Sequence, residues 1–252
     1  MTSWERRPIG RPLLLGHRGA SALCPENSLE AFQRAAADGA DGVELDVLCC
    51  ATGEVMVFHD DDLARLGGGR PQRIADLPYR ELRDLTLTSG ARIPTLQQAL
   101  EACGPRLLVN IELKASGFGG GPIGALVERV AAIVADRGVA SRVLVSSFHP
   151  RAVRLWMRRV PGVPAGLLFE RAAPLPLRRG WAIPWLRPAG VHPEAVLCTL
   201  PRVQAWHRRG HLVNVWTVDD PAALRGLAAM GVDGIICNDP GRARIALTEP
   251  AR

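Results

Sequence analysis

Gly42-Val43-Glu44-Leu45-Asp46-Val47-Leu48-Cys49-Cys50, residues 42–50, is the stretch that decides the fold of this chain. It is an apolar run of strand length with two acids set two residues apart. Strand residues two apart point to the same face, so Glu44 and Asp46 share one. A strand of a parallel sheet is normally buried on both faces and apolar throughout. Ionised groups in such a run need a partner or a metal. A closed α/β barrel explains where they fall, because its chemistry sits at the C-terminal ends of the strands.

The rest of the chain supports that architecture. Apolar runs alternate with amphipathic helical segments, the pattern of a parallel sheet with crossovers. The runs span residues 12–17, 42–50, 106–114, 142–148 and 163–169, then 189–192 or 195–199, then 212–218 and 233–237. Helices are predicted at 95–102, 123–136, 150–159 and 221–230, and another from Asn27, read as an N-cap with Glu30 completing a capping box. Residues 54–59 follow the second run after a Thr52-Gly53 turn. Residues from about 60 to 93 have no clear period and contain Gly67-Gly68-Gly69, so they read as an insertion. Eight strand candidates favour a closed (β/α)8 barrel over an open sheet, as a single domain across residues 1–252.

With 252 residues and 47% apolar content, the chain can bury one large core. The net charge is +6 and the pI about 9.5. The arginines are scattered and lack interleaved aromatics, which argues against nucleic acid and leaves an anionic small substrate compatible. The six cysteines have no zinc-like spacing, so they read as reduced core thiols. No apolar run begins the chain and none is long enough to span a bilayer, so a cytoplasmic protein is expected. Thirty of the 31 basic residues are Arg; Lys114 is the one lysine.

Strand ends carry His17 and Arg18, Glu44 and Asp46, Glu112 and Lys114, Ser147, His192 and Trp216. Glu44, Asp46 and Glu112 would form a cluster of hard oxygens suited to Mg²⁺ or Ca²⁺. A buried ion-pair network with Arg18 and Lys114 is the bland reading; three acids, two bases and two histidines at strand ends favour catalysis. His17 and His59 each end an apolar run beside a turn, where two imidazoles can share proton transfers near neutral pH. His207 and His211 read as ordinary structural histidines.

These residues stand in motifs that resemble the glycerophosphodiester phosphodiesterase family: Gly16-His17-Arg18-Gly19, Pro25-Glu26-Asn27-Ser28, Gly39 to Val47, His59-Asp60, Glu112-Leu113-Lys114, Ser147-Phe148, His192-Pro193, Val215-Trp216-Thr217-Val218 and Gly231 to Ile236. The resemblance runs from about residue 13 to 240. It implies a (β/α)8 TIM barrel with a small insertion after the second strand, and a divalent ion on Glu44, Asp46 and Glu112. It further implies His17 and His59 as the acid–base pair, Arg18 and Lys114 on the phosphate, and a glycerophosphodiester cleaved to glycerol 3-phosphate and an alcohol; His192 and Trp216, at strand ends within the motifs, are expected with Arg18 and Lys114 in phosphate and substrate binding. Departures are Ser28 where Thr is usual, Cys49-Cys50-Ala51 in place of a more polar stretch, and Cys237-Asn238 where Thr and Asp are common; they bear on substrate preference.

Two other readings fit the same site: a phospholipase D for lysophospholipids at a membrane surface, and a barrel that only binds a phosphorylated ligand. The segment 175–186 bears on the first. Trp181 and Trp185 lie there beside Arg178, Arg179 and Arg187, suiting weak contact with an anionic interface. A barrel helix packing both Trp rings on the core is the preferred expectation.

Overall fold

The computed structural model describes residue 4, residues 10–114 and residues 123–248. Nine strands form one sheet: β1 (Leu13–His17), β2 (Gly42–Cys49), β3 (Val55–Val57), β4 (Leu108–Leu113), β5 (Val143–Ser147), β6 (Ala165–Phe169), β7 (Gly190–Pro193), β8 (Leu212–Val215) and β9 (Gly234–Cys237). All but β3 are parallel to their neighbours, and β1 pairs with both β2 and β9, so eight strands close into a barrel. β3 lies outside the ring, antiparallel to β2.

Alternation along the strands sorts the side chains into two layers. Val43, Leu45, Val47, Val109 and Ile111 face outward into the main core, where the crossover helices cover them. The inward set includes Leu13, Leu15, Leu108, Leu144 and Ile236, and Trp4 packs with them. Inward positions further along the same strands are polar, and they become the site. Pairing register sets them side by side: His17 opposite Glu44, and Asp46 opposite Glu112.

Several local expectations need correction. The first helix, Leu29–Ala37, is capped by Ser28, whose side chain accepts from Ala31 N. Asn27 lies outside the helix with φ 56°, and the capping box forms instead at Thr95 and Gln98. Of the two candidates for the sixth barrel strand, Gly190–Pro193 is the strand and Ala195–Leu197 a 3₁₀ turn. Helices at Leu200–His207 and Pro240–Thr248 complete the outer layer. The 175–186 segment is two single turns, Leu175–Arg178 and Ile183–Leu186, rather than one helix, and Trp181 and Trp185 are 55% and 63% exposed. A helix interrupted at Gly180, where φ is +65°, cannot turn both rings to the core.

The insertion after β2 and β3 builds a small apolar cluster of its own. Leu63, Ile74, Leu82, Leu87 and Ile93 pack on Leu48, Met56 and Phe58. The residues lack a period because they fold as turns around that cluster. Cys50, Cys103, Cys198 and Cys237 are buried, Cys24 and Cys49 half-buried, and all six are free thiols. Among the described residues no helix is long and apolar enough to cross a membrane.

Candidate active site

The turn after β1 explains the first glycine-rich motif. A Cβ on Gly16 would lie 2.6 Å from the Gly19 carbonyl oxygen, and one on Gly19 would lie 2.6 Å from the Ala31 backbone. Only glycine allows this close approach. The tight turn holds Arg18 at φ 54°, a left-handed conformation uncommon for a side chain of its size. It aims the Arg18 backbone N–H at Glu44 Oε2, 3.1 Å away, while Nε approaches Asp46 Oδ2 at 3.4 Å.

Glu44, Asp46 and Glu112 are all buried, and each offers a carboxylate oxygen within 4.8 Å of the others. Lys114 Nζ lies 3.0 Å from Glu112 and 3.5 Å from Asp46. The ion-pair network weighed against a metal site is therefore present, but it is short of positive charge. Arg18 is shared with Glu26 at 2.8 Å. Among the described residues no cationic side chain pairs with Glu44. Burial, then Asp46 and Glu112, push the Glu44 carboxyl well above its usual range. Burial also lifts Glu112 to about 7, against the pull of Lys114. Burial would lower Lys114, but Glu112 and Asp46 outweigh it and hold the ammonium above its ordinary value. Three hard oxygen donors with unbalanced negative charge fit a divalent cation.

Both histidines sit at the same opening, and each has one ring nitrogen engaged. His17 Nδ1 pairs with Asn238 Oδ1 at 2.8 Å. Asn238 is fixed in turn, accepting from Ser21 Oγ at 2.9 Å and donating to Asp219 Oδ2 at 2.5 Å. Burial and the Arg18 charge lower the His17 pKa below 6.5. His59 Nδ1 lies 2.6 Å from Asp60 Oδ1. Arg65, from the insertion, bonds both Asp60 and Glu26, so an ion-pair chain runs from His59 through Asp60, Arg65 and Glu26 to Arg18. Within it, the two arginines outweigh burial and hold Glu26 down to about 2.

His17, Arg18, Glu44, His59, Glu112, Lys114 and Trp216 line one cavity of about 210 Å³. Trp216 stands against Phe148, edge to face at 5.4 Å. His192 does not reach this cavity. Its ring is wholly buried inside the barrel, in room left by Gly166 and Gly190, with Nε2 3.1 Å from Asn214 Nδ2. Burial lowers its pKa to about 3. Its carbonyl accepts from Trp216 Nε1 at 2.8 Å and so braces a wall of the site. His207 and His211 are structural, bonded to Asp233 and the Pro188 carbonyl.

Sequence reading missed the residues that orient the others. Asn27 has the chemistry of a helix cap, yet its Nδ2 donates to Asp46 at 2.9 Å. Asp219 and Arg65 are polar residues outside any motif, whereas Glu26, Asp60 and Asn238 stand in or beside family-like motifs that give them no role. The adjacency of His59 and Asp60 is a signal that the chain offers for an orienting carboxylate.

Residues 17–242 match the model of the glycerophosphoryl diester phosphodiesterase family. The chain belongs to this family. It is a phosphodiesterase in the sense of its relatives, and the matched span contains every residue of the cavity. It is 31% identical to a glycerophosphodiester phosphodiesterase of Caldanaerobacter subterraneus, covering 91% of this chain and 95% of that one. Identity to the Bacillus altitudinis glycerophosphodiester phosphodiesterase is 30%, over 91% and 96% of the two chains. Among solved structures, an Oleispira antarctica phosphodiesterase in complex with the product sn-glycerol-3-phosphate superposes with a TM-score of 0.85. Its sequence is 25% identical, with 95% of this chain and 98% of that chain covered.

Proposed function

We propose that this family member hydrolyses glycerophosphodiesters to glycerol 3-phosphate and an alcohol, at a divalent ion held by Glu44, Asp46 and Glu112. One observation carries this reading: three buried carboxylates converge with too little positive charge around them, and two histidines flank them. Oxygen donors suit Mg²⁺ or Ca²⁺. When bound, such an ion neutralises charge on the non-bridging phosphoryl oxygens.

The chain's own groups perform the remaining work. Lys114 and Arg18 draw in the phosphate and stabilise the charge that builds as an oxygen nucleophile attacks. His17 and His59, with Nδ1 of each ring engaged, turn Nε2 toward the substrate. One takes the nucleophile's proton and the other gives a proton to the leaving oxygen. Asn238 keeps the His17 ring in one tautomer and orientation. Trp216, braced by the His192 carbonyl and Phe148, forms an apolar wall that limits water. The nucleophile is either water or the neighbouring glycerol hydroxyl, which would give a cyclic phosphate that water then opens. We further place this activity in the cytoplasm, where six free thiols stay reduced.

The test is release of glycerol 3-phosphate from glycerophosphocholine by purified protein supplied with Mg²⁺ or Ca²⁺, before and after chelation. Turnover that disappears with chelator and returns with the ion is expected. Turnover indifferent to the chelator would remove the metal from the reading, and none with any divalent ion would remove the activity.

A further inference from the structure

We infer that Arg65, carried by the insertion, is a positioning residue of the catalytic opening. It grips the carboxylate behind His59 together with the carboxylate behind Arg18, and so couples the placement of a proton-transfer group to that of a phosphate-binding one. This rests on the phosphodiesterase reading above and adds to its machinery a residue that does not line the catalytic cavity.

The turn that carries Arg65 is fixed at its base. Leu63 is buried in the insertion's own apolar cluster, and its backbone N–H donates to the Gln72 carbonyl at 3.0 Å. Asp62 Oδ1 accepts from the Ala64 N–H at 2.9 Å, and the Gly67 N–H donates to the Leu63 carbonyl at 2.7 Å. A Cβ on Gly67 would lie 2.6 Å from that of Leu63, so the turn closes only around glycine. Arg65 thus projects toward the opening from a fixed support.

Its guanidinium uses all three nitrogens. Nε donates to Asp60 Oδ2 at 2.6 Å and Nη1 to Glu26 Oε2 at 2.9 Å, while Nη2 reaches Asp60 Oδ1 at 3.1 Å and Glu26 Oε1 at 2.7 Å. One oxygen of each acid is shared with a residue of the site. Asp60 Oδ1 meets His59 Nδ1 at 2.6 Å, and Glu26 Oε1 accepts from Arg18 Nη1 at 2.8 Å. Burial would raise the Asp60 carboxyl, but Arg65 and then His59 outweigh it and hold it below its ordinary value, so it stays an ionised partner for the ring.

The Arg65 side chain is 46% exposed, and an isolated ion pair at such a position contributes little. Two-point contacts with two acids are different, because they fix geometry. A planar fork can meet both carboxylates in this way, whereas an ammonium is a single point charge. Charge is divided as well. Arg65 takes both oxygens of Glu26 and Arg18 only one, so Glu26 orients Arg18 without fully neutralising it. Without Arg65, Asp60 would lose the partner that fixes it behind His59, and Glu26 would close on Arg18 and compete with phosphate.

Glycerol 3-phosphate release from glycerophosphocholine would be followed with metal-loaded wild type, Arg65→Ala, Arg65→Lys and Arg70→Ala, the last an exposed arginine of the same insertion. Expected for Arg65→Ala is a kcat lower by about tenfold to a hundredfold, the scale of a misplaced catalytic group. KM should rise several-fold and inhibition by inorganic phosphate should weaken, with circular dichroism and the thermal midpoint near those of wild type. Arg65→Lys should recover only a small part of the loss, and Arg70→Ala should behave as wild type. In an Asp60→Asn background the kcat effect of Arg65→Ala should shrink, and in a Glu26→Gln background the KM effect should, because residues that act through one another are not additive. Wild-type kcat and KM in Arg65→Ala overturn the inference. So do losses that add in full in both double variants, complete recovery by Arg65→Lys, or an equal loss in Arg70→Ala. A wild-type enzyme that cleaves no glycerophosphodiester would instead defeat the phosphodiesterase reading itself.

Discussion

The two sides of the barrel mouth are built from the same kind of strand and carry opposite chemistry. Across β1, β2 and β4 the inward positions are His17, Glu44, Asp46, Glu112 and, just past the strand, Lys114. Across β5 and β6, and along the segment that follows, the lining is mainly apolar, with Phe148, Leu168, Phe169 and Trp181, and His149, Arg151 and Glu170 stand among them. Charges on the first side are held by one another at about 3 Å, so each residue's position depends on its neighbours. Contacts on the second side are non-directional and graded with area. The first side should therefore fail abruptly when altered, whereas the second should shift what is accepted.

The largest effect should come from Glu44→Gln. Activity should fall at least about a thousandfold, the several kcal/mol that a metal contributes to a phosphoryl transition state. Thermal stability of the metal-free protein should hold or rise, because a buried carboxylate surrounded by Asp46 and Glu112 is relieved of repulsion. A variant that melts early would mean that Glu44 supports the fold rather than a cation.

His17→Ala and His59→Ala come next, with kcat reduced roughly 10²–10⁴-fold and circular dichroism unchanged. Either variant turning over near the wild-type rate would remove that residue from the proton transfers. Lys114→Arg keeps the charge but replaces a compact ammonium by a wide planar fork. The wider fork cannot reproduce the contacts that Nζ makes with Glu112 at 3.0 Å and Asp46 at 3.5 Å, and kcat/KM should drop about tenfold or more. Free substitution would show that charge alone matters, and that the chain's single lysine is an accident of composition.

The smallest effect tests the barrel interior rather than the mouth. His192 has a folded pKa of about 3, below its unfolded value. A base whose pKa is depressed lends stability above the unfolded pKa, near 6.5, and loses it as pH falls toward the folded one. From this residue the protein should lose roughly 1.4 kcal/mol per pH unit below 6.5. Denaturant titrations of wild type and His192→Asn between pH 6.5 and 4.5 should differ by that slope, with kcat little changed. Parallel pH dependences would show that the ring is not the buried neutral group its surroundings require.

Much of the barrel could be read from the chain because the signals are local. Apolar runs at strand length, alternating with amphipathic segments, are dictated by burial on both faces of each strand; seven barrel strands fall where the pattern puts them, and the sixth falls at the first of its two candidate positions. The shared face of Glu44 and Asp46 follows from strand geometry alone. Two errors came from the same source. Asn27 has the chemistry of a helix cap, and the 175–186 segment has the composition of an amphipathic helix. Asn27 is overridden by Asp46, a contact its neighbours in sequence do not reveal, and the helix by the left-handed turn at Gly180 that splits the segment.

By itself, then, the sequence determined which residues could carry charge at the strand ends, and hence the class of chemistry, because residue type and a period of two are properties of the chain. The tertiary structure alone decided three other matters. Register sets Asp46 beside Glu112 and His17 beside Glu44. Closure packs His192 out of the site and into the space left by two glycines. The loops after β1 and β9, with the insertion, bring Asn238 and Asp60 behind the two imidazoles. These depend on distances between residues as many as 221 positions apart, which only a closed barrel makes short.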